Sequence, residues 1–181
     1  TTLRYSYEPS KLLDDYEIEN NTLSPVYKSV SNQSLEGTIQ YGYPVSARSA
    51  LSIYGRGFSY FNQPGDSFYL DYIGGFTGMR SYPYFAIGGN TTAMIQLSYT
   101  FPLLRNINQQ VGRHSLDKLY LRLFGEAGNG WGGPLDIGDD IKTGLGAELR
   151  FAFNSYYLFP LKLFVSSAYV FYIFFFPFPP S

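Results

Sequence analysis

The most constraining feature of the sequence is an alternation of apolar and polar residues that persists over long runs. Through residues 91–101 the odd positions are mostly apolar and the even positions mostly polar. Residues 141–153 repeat this pattern, with Lys142, Glu148 and Arg150 on the polar side. A period of two residues is typical of a β-strand, whereas a helix repeats every 3.6 residues. The chain is therefore predicted to be all-β, with antiparallel strands.

The length of these runs and the chemistry of their two sides favour a membrane. They span 11 and 13 residues. A tilted strand needs about 9 to 11 residues to cross a bilayer, while strands of soluble proteins most often have about five or six. Charges and glycines lie in the middle of the polar sides, as in the lumen of a transmembrane barrel. Aromatic residues outnumber charged ones, at 19% against 15%, and recur near the ends of the runs, where an aromatic girdle would lie. We therefore predict an antiparallel transmembrane β-barrel.

Two other architectures stay open at this point. A soluble sandwich or barrel would also alternate, because an antiparallel sheet can pack one face on a core and leave the other in water. A helical membrane protein needs about 20 consecutive apolar residues. The longest apolar stretch, residues 161–176, has only sixteen residues and is rich in Phe, Tyr and Val, which favour strand.

The chain divides into three segments. Residues 1–35 are expected to be loop-rich with one possible strand, because the acidic stretch between Asp14 and Glu19 is typical of a solvated loop. Residues 36–176 are predicted to supply the strands of the barrel. Residues 177–181 are expected to form a tail. The first residues lack the features of a signal peptide, so the sequence is expected to begin on a mature protein or on a piece of a longer one.

Composition excludes most catalytic chemistry. The chain has no cysteine and one histidine, His114, which removes thiol nucleophiles, disulfides and sites built on clustered histidines. Its net charge of -1 gives no electrostatic reason for binding nucleic acid. We expect neither enzymatic activity nor a cofactor or metal.

Three segments, in order along the chain, carry a family resemblance. The first contains the paired glycines Gly74 and Gly75, then a tetrapeptide, then a Gly-Gly-Asn turn into a strand that reaches Phe-Pro-Leu at residues 101–103. The tetrapeptide is Met79, Arg80, Ser81 and Tyr82. The second is the strand end at residues 124–131, which contains Glu126, and the third is the glycine-rich strand at 143–151. Together they resemble the Omp85 superfamily of outer-membrane barrels. Residues before about 36 and the last dozen match this pattern poorly.

The resemblance implies a specific architecture and a specific contact. Family barrels have sixteen strands, with the arginine loop between the eleventh and twelfth, so this chain would be the C-terminal half. The resemblance implies that the arginine loop, here residues 74–90, folds back into the lumen, where its arginine pairs with an acidic residue, which here would be Arg80 with Glu126. Ser81 replaces the usual glycine and Glu126 the usual, shorter aspartate. Lys142, Glu148 and Arg150 are expected to be lumen charges that are solvated or mutually paired.

The resemblance also implies a function and a location. We expect a protein of the outer membrane of a Gram-negative bacterium, or of an organelle, that inserts and assembles outer-membrane proteins or translocates polypeptide across that membrane. Its partners would be the lipid bilayer, client polypeptides, and other subunits or further N-terminal residues that complete the barrel. The alternatives are a passive pore or the membrane anchor of a larger periplasmic protein, and a soluble β-rich binding module.

Overall fold

The structure is a computed structural model that describes residues 1–19, 22–62, 69–105, 107, 109–136, 141–155 and 159–171. Within these residues the chain forms ten β-strands and no α-helix. Their bounds are β1 Thr2–Glu19, β2 Thr22–Pro44, β3 Ala50–Tyr60, β4 Asp71–Tyr72, β5 Gly88–Gly89, β6 Thr91–Leu104, β7 Gln109–Val111, β8 His114–Trp131, β9 Lys142–Ser155 and β10 Phe159–Phe171.

The long strands form one antiparallel sheet in the order β1-β2-β3-β6-β8-β9-β10, with β7 paired to β8 at one end. The prediction of an all-β, antiparallel chain is confirmed. Strands β4 and β5 form a separate pair in the connection between β3 and β6. Among the described residues β1 and β10 are edge strands, so no closed barrel is found, and the described strands do not support a count of sixteen.

Residues 1–35 differ from the sequence-based expectation. They lie in β1 and the first part of β2, which pair along almost their whole lengths instead of forming loops. The acidic stretch belongs to β1, with a register shift between Leu13 and Asp15. Most described side chains on both faces of this part of the hairpin are exposed, with Asn32 of β2 an exception at 3%. Charged side chains are therefore tolerated on a strand that local composition assigns to a loop.

The two faces of the sheet have opposite environments. On β6 the apolar residues Ile95 and Leu97 are 53% and 48% exposed, whereas the intervening Gln96 and Ser98 are 7% and 2% exposed. The same inversion places Glu126 of β8 and Glu148 of β9 among the buried residues. Exposed apolar side chains are found on all the long strands, including Leu3, Tyr41, Ile53, Leu97, Leu123, Leu145 and Val165. The sheet thus has an exposed apolar face and a polar face that is covered in the middle of the sheet, on β6, β8 and β9, the reverse of a soluble sheet.

The apolar stretch at residues 161–176 is strand as far as Phe171, the end of β10. The rest of it, and the predicted tail at 177–181, lie outside the described residues. In the part of the chain that the structure describes, no helix is long and apolar enough to cross a membrane.

Candidate functional site

The polar face is covered by the connection between β3 and β6, of which the structure describes residues 69–90. We call this segment the docked loop. Its base is the short β4–β5 pair, extended by a hydrogen bond from the Ile73 amide to the Ile87 carbonyl oxygen of 3.0 Å. The predicted in-folding loop at 74–90 therefore lies within this segment.

A small hydrophobic cluster fixes the docked loop to the sheet. Ile73, Met79 and Ile87 of the loop are buried against Met94 of β6, and Tyr82 packs on the same cluster. These residues exclude water from the middle of a polar face. The docked loop consequently packs as a folded unit and not as a loose connection.

Tight turns within the loop present the tetrapeptide to the sheet. The Gly75 amide lies 3.1 Å from the carbonyl oxygen of Met79 and 2.9 Å from that of Tyr82. Gly75 has φ +93°, a left-handed conformation that favours glycine. Gly74 forms an isolated bridge with Met79. Ser81 takes no positive φ, so a serine at this position causes no backbone strain.

Arg80 binds Glu148. Its Nη1 donates to Oε2 of Glu148, whose side chain is 1% exposed. The guanidinium also lies over two aromatic rings, 4.8 Å from the centroid of Phe76 and 5.3 Å from that of Phe124. Arg150 donates to the other oxygen of Glu148. The prediction that Arg80 pairs with Glu126 is therefore wrong, and Glu148 instead binds both Arg80 and Arg150.

Glu126 holds the same loop through its backbone. Its Oε1 accepts a hydrogen bond of 2.7 Å from the Ser81 amide, and its Oε2 accepts one of 3.2 Å from Nε2 of Gln96. A Cβ at Gly144, opposite Glu126 on β9, would lie 2.0 Å from Oγ of Ser81. The absence of a side chain at Gly144 lets the loop backbone approach Glu126. The long side chain of Arg80 extends beyond Glu126 and reaches Glu148 on β9.

A second ion cluster holds the base of the loop. Two nitrogens of Arg56 on β3 bind the carboxylate of Asp71 at 2.8 and 3.0 Å, and the Arg56 Nε donates to Glu36 of β2 at 2.9 Å. Thr92 of β6 also donates to Asp71. Sequence reasoning missed this cluster. The available signal was that Arg56 and Glu36 share the polar side of neighbouring strands.

The remaining predicted lumen charge, Lys142, lies on β9 away from the loop tip. Its Nζ donates to Oδ1 of Asn129 at 2.9 Å. Arg122 of β8 donates to Gln96 Oε1 at 2.8 Å and to Ser98 at 3.1 Å. The polar face therefore carries a hydrogen-bonded network in which buried charges have partners, as low-polarity surroundings require.

The site offers ion pairing and packing more than reactive groups. The described part of the chain holds no cluster of three His, Asp or Glu side chains that could ligate a metal ion. His114 begins β8, where its ring contacts that of Phe153 edge-on at 5.9 Å. The geometry can brace strands: the docked loop contacts β3, β6, β8, β9 and, through stacking of Phe76 on Phe164, β10.

Comparisons of the chain with protein-family models, with curated proteins and with solved structures found no match. The function is therefore inferred from the inverted faces of the sheet and from the docked loop.

Proposed function

We propose that this chain is part of an outer-membrane β-barrel of the Omp85 type, which inserts and assembles outer-membrane proteins or translocates polypeptide across the outer membrane. The observation that carries the proposal is the sheet with its apolar face exposed and its polar face covered by an arginine-bearing loop. The sequence resemblance and this geometry concern the same residues, Gly74 to Tyr82 and Glu126.

Exposure of the apolar face supports a bilayer as its surroundings. Monomeric soluble proteins rarely expose contiguous apolar patches larger than about 300 to 600 Å². Here the patch runs across seven neighbouring strands, and no second layer covers it among the described residues. Strands β6, β9 and β10 have 14, 14 and 13 residues, enough to cross the roughly 25 Å apolar band of an outer-membrane barrel when tilted.

The two edge strands support a larger assembly. A bilayer offers no hydrogen bonds to unpaired strand edges, so β1 and β10 need partners. Three long strands precede the docked loop and four follow it. If the docked loop joins strands eleven and twelve of a sixteen-strand barrel, β1, β2 and β3 are strands nine to eleven. Strands β6, β8, β9 and β10 are then strands twelve to fifteen. Residues beyond the described strands, or another chain, would supply the rest.

The docked loop would act as an internal brace. Arg56 and Asp71 hold its base to β3, while Arg80 and Glu148 hold its tip to β9, two strands beyond β6. A barrel that receives a polypeptide has to change shape at one place without collapsing elsewhere. Ion pairs that tie these strands together from inside would keep this part of the wall rigid while another part of the barrel changes.

The alternative is a passive pore or membrane anchor. It is favoured by the polar network of the covered face, since a lumen lined with paired charges also suits solute passage. Assembly or translocation acts on a client polypeptide, whereas a passive pore or anchor needs no client.

The test reconstitutes the full-length protein that contains this chain into lipid vesicles and adds a urea-unfolded outer-membrane barrel as client. Assembly activity predicts faster folding of the client than in empty vesicles, with less acceleration by the Arg80→Ala variant. Lys28→Gln, on the projecting part of β2, is the matched control and is expected to act as the wild type. Stable ion conductance with no effect on client folding would favour the pore. A protein that is monodisperse without detergent would refute both membrane functions.

A further inference from the structure

A basic pocket lies at the end of the sheet opposite the docked loop. It is formed where the turn at residues 45–49 joins β2 to β3 and where β6 ends beside β8, and its volume is about 560 Å³. Three cationic side chains from three different elements line it: Arg48, Arg105 and Lys118. This volume lies within the range of about 300 to 1,000 Å³ that is common for ligand sites.

Two of these cations have no ion-pair partner among the described residues. Lys118 pairs with Asp117 at 3.2 Å, but neither Arg48 nor Arg105 contacts a carboxylate. By contrast, Arg56 and Arg80 elsewhere on the polar face are both paired. The basic pocket therefore presents positive charge that the described chain does not neutralise.

The wall of the basic pocket is ordered and rich in hydroxyl groups. The amides of Val45 and Ser46 donate to the Ser49 carbonyl oxygen at 3.0 and 3.2 Å, and the Ser46 and Ser49 hydroxyls are 2.9 Å apart. Arg48 is thus carried by a hydrogen-bonded turn. Thr100 and Tyr120 add hydroxyl groups from the sheet.

Positive charge continues from the pocket along the polar face. In the strand register Thr100 lies opposite Arg122, and Tyr120 lies opposite Arg150. Arg150 is paired with Glu148, so a ligand that extends from the pocket toward the middle of the sheet would first meet Arg122, which has no ion pair among the described residues. An extended chain uses such a track better than a single small ion does.

We propose that the basic pocket binds an acidic, extended segment of polypeptide through its carboxylates. Guanidinium groups bind carboxylates with two parallel hydrogen bonds, and Ser and Tyr hydroxyls can bind peptide groups beside them. The pocket opens on the polar face and not on the apolar face, so bilayer lipid does not supply its occupant. The inference rests on the proposed function for its biological setting. It adds that the polypeptide received at this end of the barrel is acidic.

The test measures fluorescence anisotropy of a labelled ten-residue Asp-Ser repeat peptide added to the full chain in detergent micelles at low salt. We expect saturable binding that weakens at high salt, because salt screens exposed charges. Arg48→Gln and Arg105→Gln should each weaken binding about fivefold. This factor is the upper end of the range that one exposed ion pair contributes. The neutral Asn-Ser peptide should not bind.

The control variant is Lys28→Gln, which removes the same charge at the far end of β2 and is expected to leave binding unchanged. Arg105→Lys keeps the charge and should bind more tightly than Arg105→Gln, which separates lost charge from lost folding. Equal binding of the neutral peptide, or equal weakening by Lys28→Gln, would overturn the proposal. So would anionic phospholipid vesicles or inorganic phosphate that bind through Arg48 and Arg105 while the acidic peptide does not. Peptide binding without client assembly would refute the proposed function and leave this inference standing.

Discussion

Replacing Glu148 by Gln removes the carboxylate that Arg80 and Arg150 share, while it preserves the size of the side chain. Glu148 is 1% exposed, and Arg80 is largely buried as well. A hydrogen bond to a charged group contributes about 1.5 to 3 kcal/mol, and breaking a buried ion pair costs about 3 to 5 kcal/mol. Arg150 is 43% exposed, so water can solvate its guanidinium when the carboxylate is removed. The loss of the Arg150–Glu148 contact therefore costs at most about 1 kcal/mol. We expect Glu148→Gln to lower the free energy of unfolding by about 3 kcal/mol.

A double-mutant cycle identifies the partner of Arg80. Combined with Arg80→Met, the Glu148→Gln variant should show a coupling energy of about 2 kcal/mol, since the two changes remove one interaction. The same cycle with Glu126→Gln should give less than about 1 kcal/mol, because Glu126 binds the Ser81 amide and not the guanidinium.

The measurement is equilibrium unfolding in urea of the reconstituted protein, followed by tryptophan fluorescence. Trp131 is the only tryptophan of the chain and is buried beside the docked loop, where its backbone approaches Gly89. Energies of Arg80→Met and Glu148→Gln that add within about 0.5 kcal/mol would refute the ion pair as a structural contact. A larger coupling with Glu126→Gln would restore the pairing that the sequence resemblance implies.

Three further substitutions test how the docked loop is held and whether the exposed apolar face meets lipid. Gly144→Ala should destabilise the protein by about 1 to 3 kcal/mol, because the new Cβ meets the Ser81 hydroxyl, whereas Gly42→Ala, with open space around its Cβ, should be near neutral in the same urea titration. Arg56→Gln should release the base of the docked loop and speed its cleavage by protease about tenfold, because each lost hydrogen bond to a charged group is worth about 1.5 to 3 kcal/mol. Cleavage at the wild-type rate would contradict the role of this anchor. Leu97→Arg should weaken folding into lipid vesicles by about 2 to 4 kcal/mol, while a soluble protein would tolerate this exposed site.

The motif residues and the strands were predictable from sequence to different degrees. Alternation in residues 91–101 and 141–153 predicted β6 and β9 closely, because successive side chains of a strand point to opposite faces of the sheet. The start of the chain was misassigned, since the stability of β1 comes from pairing with β2 and not from its own composition. The tetrapeptide around Arg80 was identified, but its buried companions Ile73 and Ile87 were not.

The partner of Arg80 could not be read from local pattern. Glu126 and Glu148 both lie on the polar side of neighbouring strands, and either could be the partner by parity. The register of β8 with β9 and the missing side chain at Gly144 decide the outcome. They bring the Ser81 backbone to Glu126 and leave Arg80 extended toward Glu148.

By itself the sequence determined that this protein has strands with one apolar and one polar side, because side chains alternate along any extended backbone. It also determined that thiol and clustered-histidine chemistry is absent, since those residues are missing. Only the tertiary structure decided which side is covered. The docked loop packs on the polar face and joins Arg56 to Asp71 and Arg80 to Glu148, which are 15 and 68 residues apart in the chain. Such contacts depend on strand register and close backbone approach, which no local pattern encodes.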